Sequence, residues 1–62
     1  MRMYNITAQV YDLYDTSKQH LLINQVIDAT SKEDAIVQFQ DQYRIKFQIV
    51  KVHSVEQFEY GN

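Results

Sequence analysis

The sequence has 62 residues with no cysteine, no proline and a single glycine, Gly61. Without cysteine the chain forms no disulfide, and it has neither the thiolates of a zinc-ribbon site nor a thiol nucleophile. Without a glycine-rich segment it has no phosphate-binding loop. The missing proline also matters for any sheet, because proline is one of the residues that blocks strand pairing at an exposed edge.

Positive charge is also scarce, since six Lys and Arg face eight Asp and Glu and leave a net charge of −2. The basic residues are scattered singly along the chain, whereas proteins that follow a phosphate backbone cluster them. The composition therefore disfavours nucleic-acid binding, which we keep as a third alternative.

Long apolar runs are absent, because the longest are the three-residue segments 21–23 and 35–37. The sequence therefore predicts no transmembrane segment, and the first residues lack the apolar centre of a signal peptide. The simplest expectation is a cytoplasmic protein that does not associate with a membrane.

A helix over about residues 31–44 is the clearest local prediction. Ser31 is a favourable N-cap, and Asp34 follows at the spacing of a capping box, where we expect it to accept a hydrogen bond from the amide of Ser31. Apolar residues recur at intervals of three and four and form one stripe. The stripe consists of Ala35, Ile36, Phe39 and Tyr43.

The first strand is predicted over about residues 3–14, where apolar and polar residues alternate. Its apolar set occupies the even positions from Tyr4 to Val10. Tyr11 and Leu13 break the pattern, so either a bulge shifts the register near Val10 or these two residues lie on the second face of the sheet.

Two more strands are predicted, over about residues 20–29 and 47–54. In the second strand neither register is clean, and we expect the odd set from Leu21 to Ala29 to face the helix. Residues 55–60 are either an extension of the third strand after a bulge or a short extra strand.

These elements predict an α+β fold, a single ββαβ domain over residues 1–62. A short connection pairs the first two strands antiparallel, and the helix returns the chain so that the third strand lies beside the first. The result is a three-stranded antiparallel sheet of order 2-1-3 with one helix packed on one face. One sheet face and two edge strands stay open, which suits an interaction surface.

No pattern in the sequence indicates catalysis. Nucleophilic catalysis needs a base held beside a hydroxyl, and no motif links His20 or His53 to a serine. The titratable residues His20, Asp28, His53 and Glu56 do not follow a metal-ligand spacing. We therefore expect no enzyme activity, no metal and no cofactor.

Eight aromatic residues, five Tyr and three Phe, are a large share of so short a chain. Four of them fit the predicted core, namely Tyr4, Phe39, Tyr43 and Phe47. For the others two interpretations are open: they cover the rim of a small core, or, together with nearby acidic residues, they form a contact surface for a basic protein. The predicted protein-binding residues are Tyr11, Asp12, Leu13, Tyr14, Asp15, Glu56, Phe58 and Glu59.

The run from Val26 to Ile36 (VIDATSKEDAI), followed by an aromatic helix and a valine-rich strand, resembles small acidic ββαβ proteins of bacterial phages and mobile elements. Some anti-CRISPR proteins and other host-enzyme inhibitors belong to that class. The resemblance implies a phage-encoded inhibitor or accessory protein that binds a host protein. The alternative is a homo-oligomeric small structural protein, because a core of this size is near the lower limit for a chain that folds alone.

Overall fold

A computed structural model describes residues 2–58 and shows a three-stranded sheet with one helix. The elements in chain order are β1 (Arg2–Asp12), β2 (His20–Ala29), α1 (Lys32–Tyr43) and β3 (Phe47–Phe58). The sheet order is β2-β1-β3 and both pairings are antiparallel, which confirms the predicted fold class and topology.

Alternation along β1 separates the two faces of the sheet. The even residues Tyr4, Ile6, Ala8 and Val10 are buried, whereas their odd neighbours are only half-buried. Directly paired residues share a face, so the pairs Tyr4–Ile27 and Ala8–Ile23 place the odd set of β2 on the buried face, as expected.

Helix α1 closes the buried face with a short core. Ala35 and Phe39 are fully buried against β1 and against Ile27 and Ala29 of β2. The ring of Tyr43 stacks on Phe39 at 4.6 Å between centroids, and its hydroxyl donates a 2.7 Å hydrogen bond to Gln25. Of the four aromatic residues expected in the core, Tyr4 and Phe39 are buried, whereas Tyr43 and Phe47 are half-buried.

The helix begins at the predicted cap, with one difference. Ser31 is the N-cap, and its hydroxyl accepts a 3.1 Å hydrogen bond from the amide of Asp34. The carboxylate of Asp34 accepts from the amide of Thr30, at 3.2 Å, rather than from the amide of Ser31. The reciprocal bond therefore reaches one residue further back than the expected capping box.

Strand β1 ends at Asp12, two residues before the predicted end. The Asp12 carboxylate accepts a 2.8 Å hydrogen bond from the amide of Tyr14, which turns the chain there. The ladder between β1 and β2 is regular over ten pairs, from Arg2–Ala29 to Tyr11–His20. Tyr11 therefore lies on the open face without a bulge in β1, as the second alternative predicted, whereas Leu13 lies beyond the end of the strand.

The irregularities lie in β3 instead. Its register with β1 shifts twice, so that Val50 and His53 are extra residues without a directly opposed partner. The strand continues unbroken to Phe58, so the residues from Val55 onward extend β3 and do not form a separate strand. Positions 59–60 of that prediction lie outside the described residues.

The molecule is elongated, with principal extents of 44 × 17 × 15 Å. A helix of 12 residues spans about 18 Å, whereas strands of 10–12 residues span roughly 33–40 Å. The helix therefore covers only part of one sheet face. Within residues 2–58, no helix is long and apolar enough to cross a membrane.

Candidate protein-interaction surface

Strand β2 forms one edge of the sheet and is paired on one side only. From Leu21 to Ile27 it carries no charge, no proline and no glycine. Its ladder with β1 has no bulge over all ten residues. Because the backbone of an edge strand is unpaired along its outer side, a long, regular and uncharged edge is a template for a further strand.

Strand β3 forms the opposite edge and has several features that prevent pairing. Its two register shifts interrupt the regular spacing of backbone donors and acceptors. Lys51 and Glu56 are exposed on it, and His53 occupies one of the bulges. Bulges and charged side chains are the devices by which natural sheets protect an edge. The two edges therefore differ, and β2 is the one open to pairing.

The open face of the sheet carries a polar network along the central strand. Gln9 Nε2 lies 2.6 Å from His20 Nδ1, and Gln9 Oε1 lies 3.1 Å from His53 Nε2. An amide nitrogen donates and an amide oxygen accepts, so this geometry fits His20 unprotonated at Nδ1 and His53 protonated at Nε2. One glutamine thus connects the two histidines across three strands.

The centre of the open face continues the pattern with short polar side chains. Asn24 Nδ2 donates a 3.0 Å hydrogen bond to Thr7 Oγ1. The next residue of β1 on this face, Asn5, has a buried Oδ1 atom with no hydrogen-bond partner. Asn24 and Thr7 thus bond to each other, whereas Asn5 Oδ1 is left as an acceptor without a donor.

The hairpin end of the open face is covered by its own side chains. The rings of Tyr11 and His20 stack at 5.8 Å with an interplanar angle of 12°. The ammonium group of Lys18 lies 6.0 Å from the centroid of the Tyr11 ring. Tyr11 is therefore half-buried between two neighbours rather than presented as a free anchor.

The predicted binding residues fall into two groups at opposite ends of the sheet. Residues 11–15 surround the turn after β1, where the Asp15 carboxylate accepts hydrogen bonds from the amide and hydroxyl of Ser17. Glu56 pairs with Asn5, and Phe58 pairs with Met3 at the far end. Tyr11 is eight positions along β1 from Met3, which corresponds to about 26 Å at roughly 3.3 Å per residue. Glu59 lies outside the described residues.

An open groove of about 480 Å³ runs between the second half of α1 and β3. Its lining mixes the polar Gln40 and Arg44 with apolar strand side chains, and no residue of the lining is acidic. The described part of the chain also contains no group of three or more His, Asp or Glu placed to hold a metal ion. The side chains that line the groove therefore do not form a set of reactive groups.

Two features of this surface were not predicted from the sequence. The connection of His20 and His53 through Gln9 depends on the register of both ladders, and that register includes two bulges. The difference between the two edges had a readable signal, because residues 21–27 are uncharged whereas β3 contains Lys51 and Glu56.

No protein-family model, curated protein or solved structure matches this chain.

Proposed function

We propose that the chain is a non-catalytic protein-interaction module that binds a partner by strand addition at the free edge of β2. The observation that carries the proposal is the regular ten-residue ladder of β2, whose segment from Leu21 to Ile27 has no charge and no proline. In strand addition the main chain supplies affinity and the alternate side chains supply selectivity.

The side chains of β2 support this mode of binding. Leu22 is 69% exposed and Val26 is 42% exposed, and both lie on the open face of the sheet. A strand added beside β2 would place its own side chains directly against these two residues. Apolar cross-strand pairs of this kind contribute roughly 0.2–1 kcal/mol each.

A non-catalytic role is supported by the way the two histidines are engaged. His20 Nδ1 and His53 Nε2 both lie within hydrogen-bond distance of the side-chain amide of Gln9. A general base would instead face a hydroxyl or a substrate proton at that distance. A role as an inhibitor or accessory protein of a phage fits a small acidic binding module and belongs to the same proposal.

Two matched valine substitutions test the edge. Val26 on β2 and Val50 on β3 are the same residue type on opposite edge strands, and they are 42% and 44% exposed. A lysine on an edge strand obstructs pairing. We therefore expect Val26→Lys to abolish binding to partners that Val50→Lys still binds.

Tagged wild type, V26K and V50K are each expressed in cells that also produce an untagged copy of the chain. Each tagged protein is captured by affinity, and the proteins retained with it are identified by mass spectrometry. A protein retained by wild type and V50K but lost with V26K supports the proposal. If V26K captures the same proteins as wild type, or if wild type captures none, the edge of β2 is not a binding site. Circular dichroism of both variants checks that the fold is intact.

A further inference from the structure

We infer that the strand added to β2 is β2 of a second copy of this chain, paired antiparallel about a two-fold axis through Asn24. This inference depends on the proposed function, because it names the partner of the same edge. Two copies paired in this way would form one six-stranded sheet of order β3-β1-β2-β2-β1-β3, with both helices on the same face.

Symmetry restricts the registers that such a pair can adopt. Directly opposed residues of an antiparallel pair point to the same face of the sheet, so a two-fold axis perpendicular to the sheet must pass through a residue. Near the middle of β2 the axis can therefore pass through Ile23, Asn24 or Gln25. These three registers make different side-chain pairs and can be compared.

Only the register centred on Asn24 makes complementary pairs throughout the open face; on the helix side it places Ile23 opposite the partner's Gln25, whose side-chain oxygen already accepts from Tyr43. It places Leu22 opposite the partner's Val26 on the open face, and Leu21 opposite the partner's Ile27 on the helix side. It also places His20 opposite the partner's Asp28, and these two are the only titratable residues of β2. The open face of the strand is thus complementary to itself, because it places apolar side chains opposite each other and an imidazole opposite a carboxylate that can accept its N–H.

The two neighbouring registers lose these pairs. With Ile23 on the axis, Leu22 faces the partner's Asn24 and His20 faces the partner's Val26. With Gln25 on the axis, Leu22 faces the partner's Asp28. Each alternative places a polar or charged group against an apolar one on the open face, so the strand sequence itself selects Asn24.

The residue on the axis is suited to its position. Asn24 Nδ2 already donates one hydrogen bond to Thr7 within the chain. An amide group has two N–H donors and an oxygen acceptor, so the second N–H and the oxygen remain for the opposed Asn24. A single polar residue at a symmetric position is an established way to specify register in paired helices, and the same physical reasoning applies here.

The opposite edge explains why the assembly stops at two copies. An isologous pair uses β2 of both copies, and the outer edges of the six-stranded sheet are then the two β3 strands. Those strands carry the two register shifts together with Lys51 and Glu56. Further growth by edge pairing is therefore obstructed, and a closed dimer is favoured over a fibre.

Because the chain has no cysteine, a single introduced thiol reports the register. On the axis the two Cα atoms of residue 24 would lie roughly 4.5–5.5 Å apart, within the range of a disulfide. Those of residue 23, or of residue 25, would lie about 8 Å apart, which is too far. We expect purified Asn24→Cys to form a covalent dimer on mild oxidation, and Ile23→Cys and Gln25→Cys to remain uncrosslinked.

Ser54→Cys is the matched control for collisional oxidation. Asn24 and Ser54 are the two partners of Thr7, one on each edge strand, so their thiols would lie on the same face at the same level. We expect S54C to remain uncrosslinked under conditions that crosslink N24C, although its β2 edge can still form the noncovalent dimer. Equal crosslinking of the two variants would overturn the inference, as would preferential crosslinking of I23C or Q25C.

Light scattering coupled to size-exclusion chromatography tests the unmodified chain. Wild type and V50K should move from monomer to dimer over a roughly hundredfold range of concentration, and V26K should require at least about tenfold more protein. A wild type that is monomeric throughout, together with an N24C that does not crosslink, overturns the second-copy inference. The proposed function would still stand without the second-copy inference if V50K captures a cellular protein that V26K does not capture.

Discussion

At the scale of single residues, Asn5 is the least satisfied position of the described sheet. Its Oδ1 atom is buried on the open face without a hydrogen-bond partner. A buried acceptor left without a donor costs roughly 1–3 kcal/mol, and asparagine is also a poor strand former. The neighbouring Thr7 differs, because its hydroxyl accepts from Asn24.

We therefore expect Asn5→Val to raise the free energy of unfolding by about 1 kcal/mol, since it removes the unpaired acceptor and adds a β-branched side chain. Thr7→Val is the matched control, because it adds the same side chain but deletes a hydrogen bond, and we expect it to be neutral or destabilising. Urea titration followed by circular dichroism measures both variants. An N5V variant no more stable than T7V contradicts this account.

The sequence allowed the buried residues of β1 to be predicted, but not the network on its other face. Alternation alone identifies Tyr4, Ile6 and their even neighbours, because burial depends on a period of two within one strand. The position of Gln9 between His20 and His53 depends on both ladders of the sheet. One of them, between β1 and β3, contains bulges and joins residues far apart in the chain. Local sequence carries little information about such a register.

At the scale of elements, the start of α1 follows from short-range chemistry. Ser31 accepts from the amide of Asp34, and the Asp34 carboxylate accepts from Thr30 and from the side-chain amide of Gln38. The first of these bonds pairs an amide that the first turn of a helix otherwise leaves without a partner, and the other two fix the Asp34 side chain beside the cap. They involve residues close in sequence, which is why the helix and its cap could be predicted.

We expect Ser31→Ala to lower the free energy of unfolding by about 1 kcal/mol, because it removes the acceptor for the amide of Asp34. Thr30→Ala is the control, since the Thr30 hydroxyl makes only a 3.3 Å bond and its amide bond to Asp34 survives the change. Thermal unfolding of both variants measures the difference. Equal destabilisation by S31A and T30A would show that the Ser31 cap contributes no more than that long bond.

The strands were harder to predict than the helix. β2 contains two incomplete apolar sets, and only the need to pack Ala29 beneath the helix favoured the odd one, which the structure confirms. A bulge near Val10 in β1 was one of two alternatives and is absent, whereas the bulge considered before residue 55 corresponds to His53 in β3, and a second one occurs at Val50. A doubled apolar pair such as Ile49-Val50 is compatible with a bulge or with a residue on each face, so its pattern does not decide between them.

At the scale of the whole molecule, protection from hydrogen exchange should be uneven. The central strand β1 is paired on both sides and contributes half of the fully buried core residues. Residues 14–19 are all exposed and make only local turn hydrogen bonds. Amides that open only by global unfolding exchange far more slowly than those of an exposed turn.

We therefore expect the amides from Tyr4 to Val10 to exchange slowest and those of residues 14–19 to exchange fastest, as measured by NMR in deuterated buffer. Raising the protein concentration should slow every second amide of β2, because alternate residues of an edge strand direct their N–H groups outward. Uniform protection along β2 at every concentration would argue against pairing at that edge.

The central position of β1 also sets the order in which the molecule can be completed during synthesis. β1 leaves the ribosome first, yet one of its sides has no partner until β3 has been made, since Met3 pairs with Phe58. The nascent hairpin of β1 and β2 therefore emerges with two unpaired edges and no helix to cover its apolar face. Its folding must wait for translation of nearly all of residues 2–58, and until then the nascent chain is in the state most exposed to association with neighbouring chains.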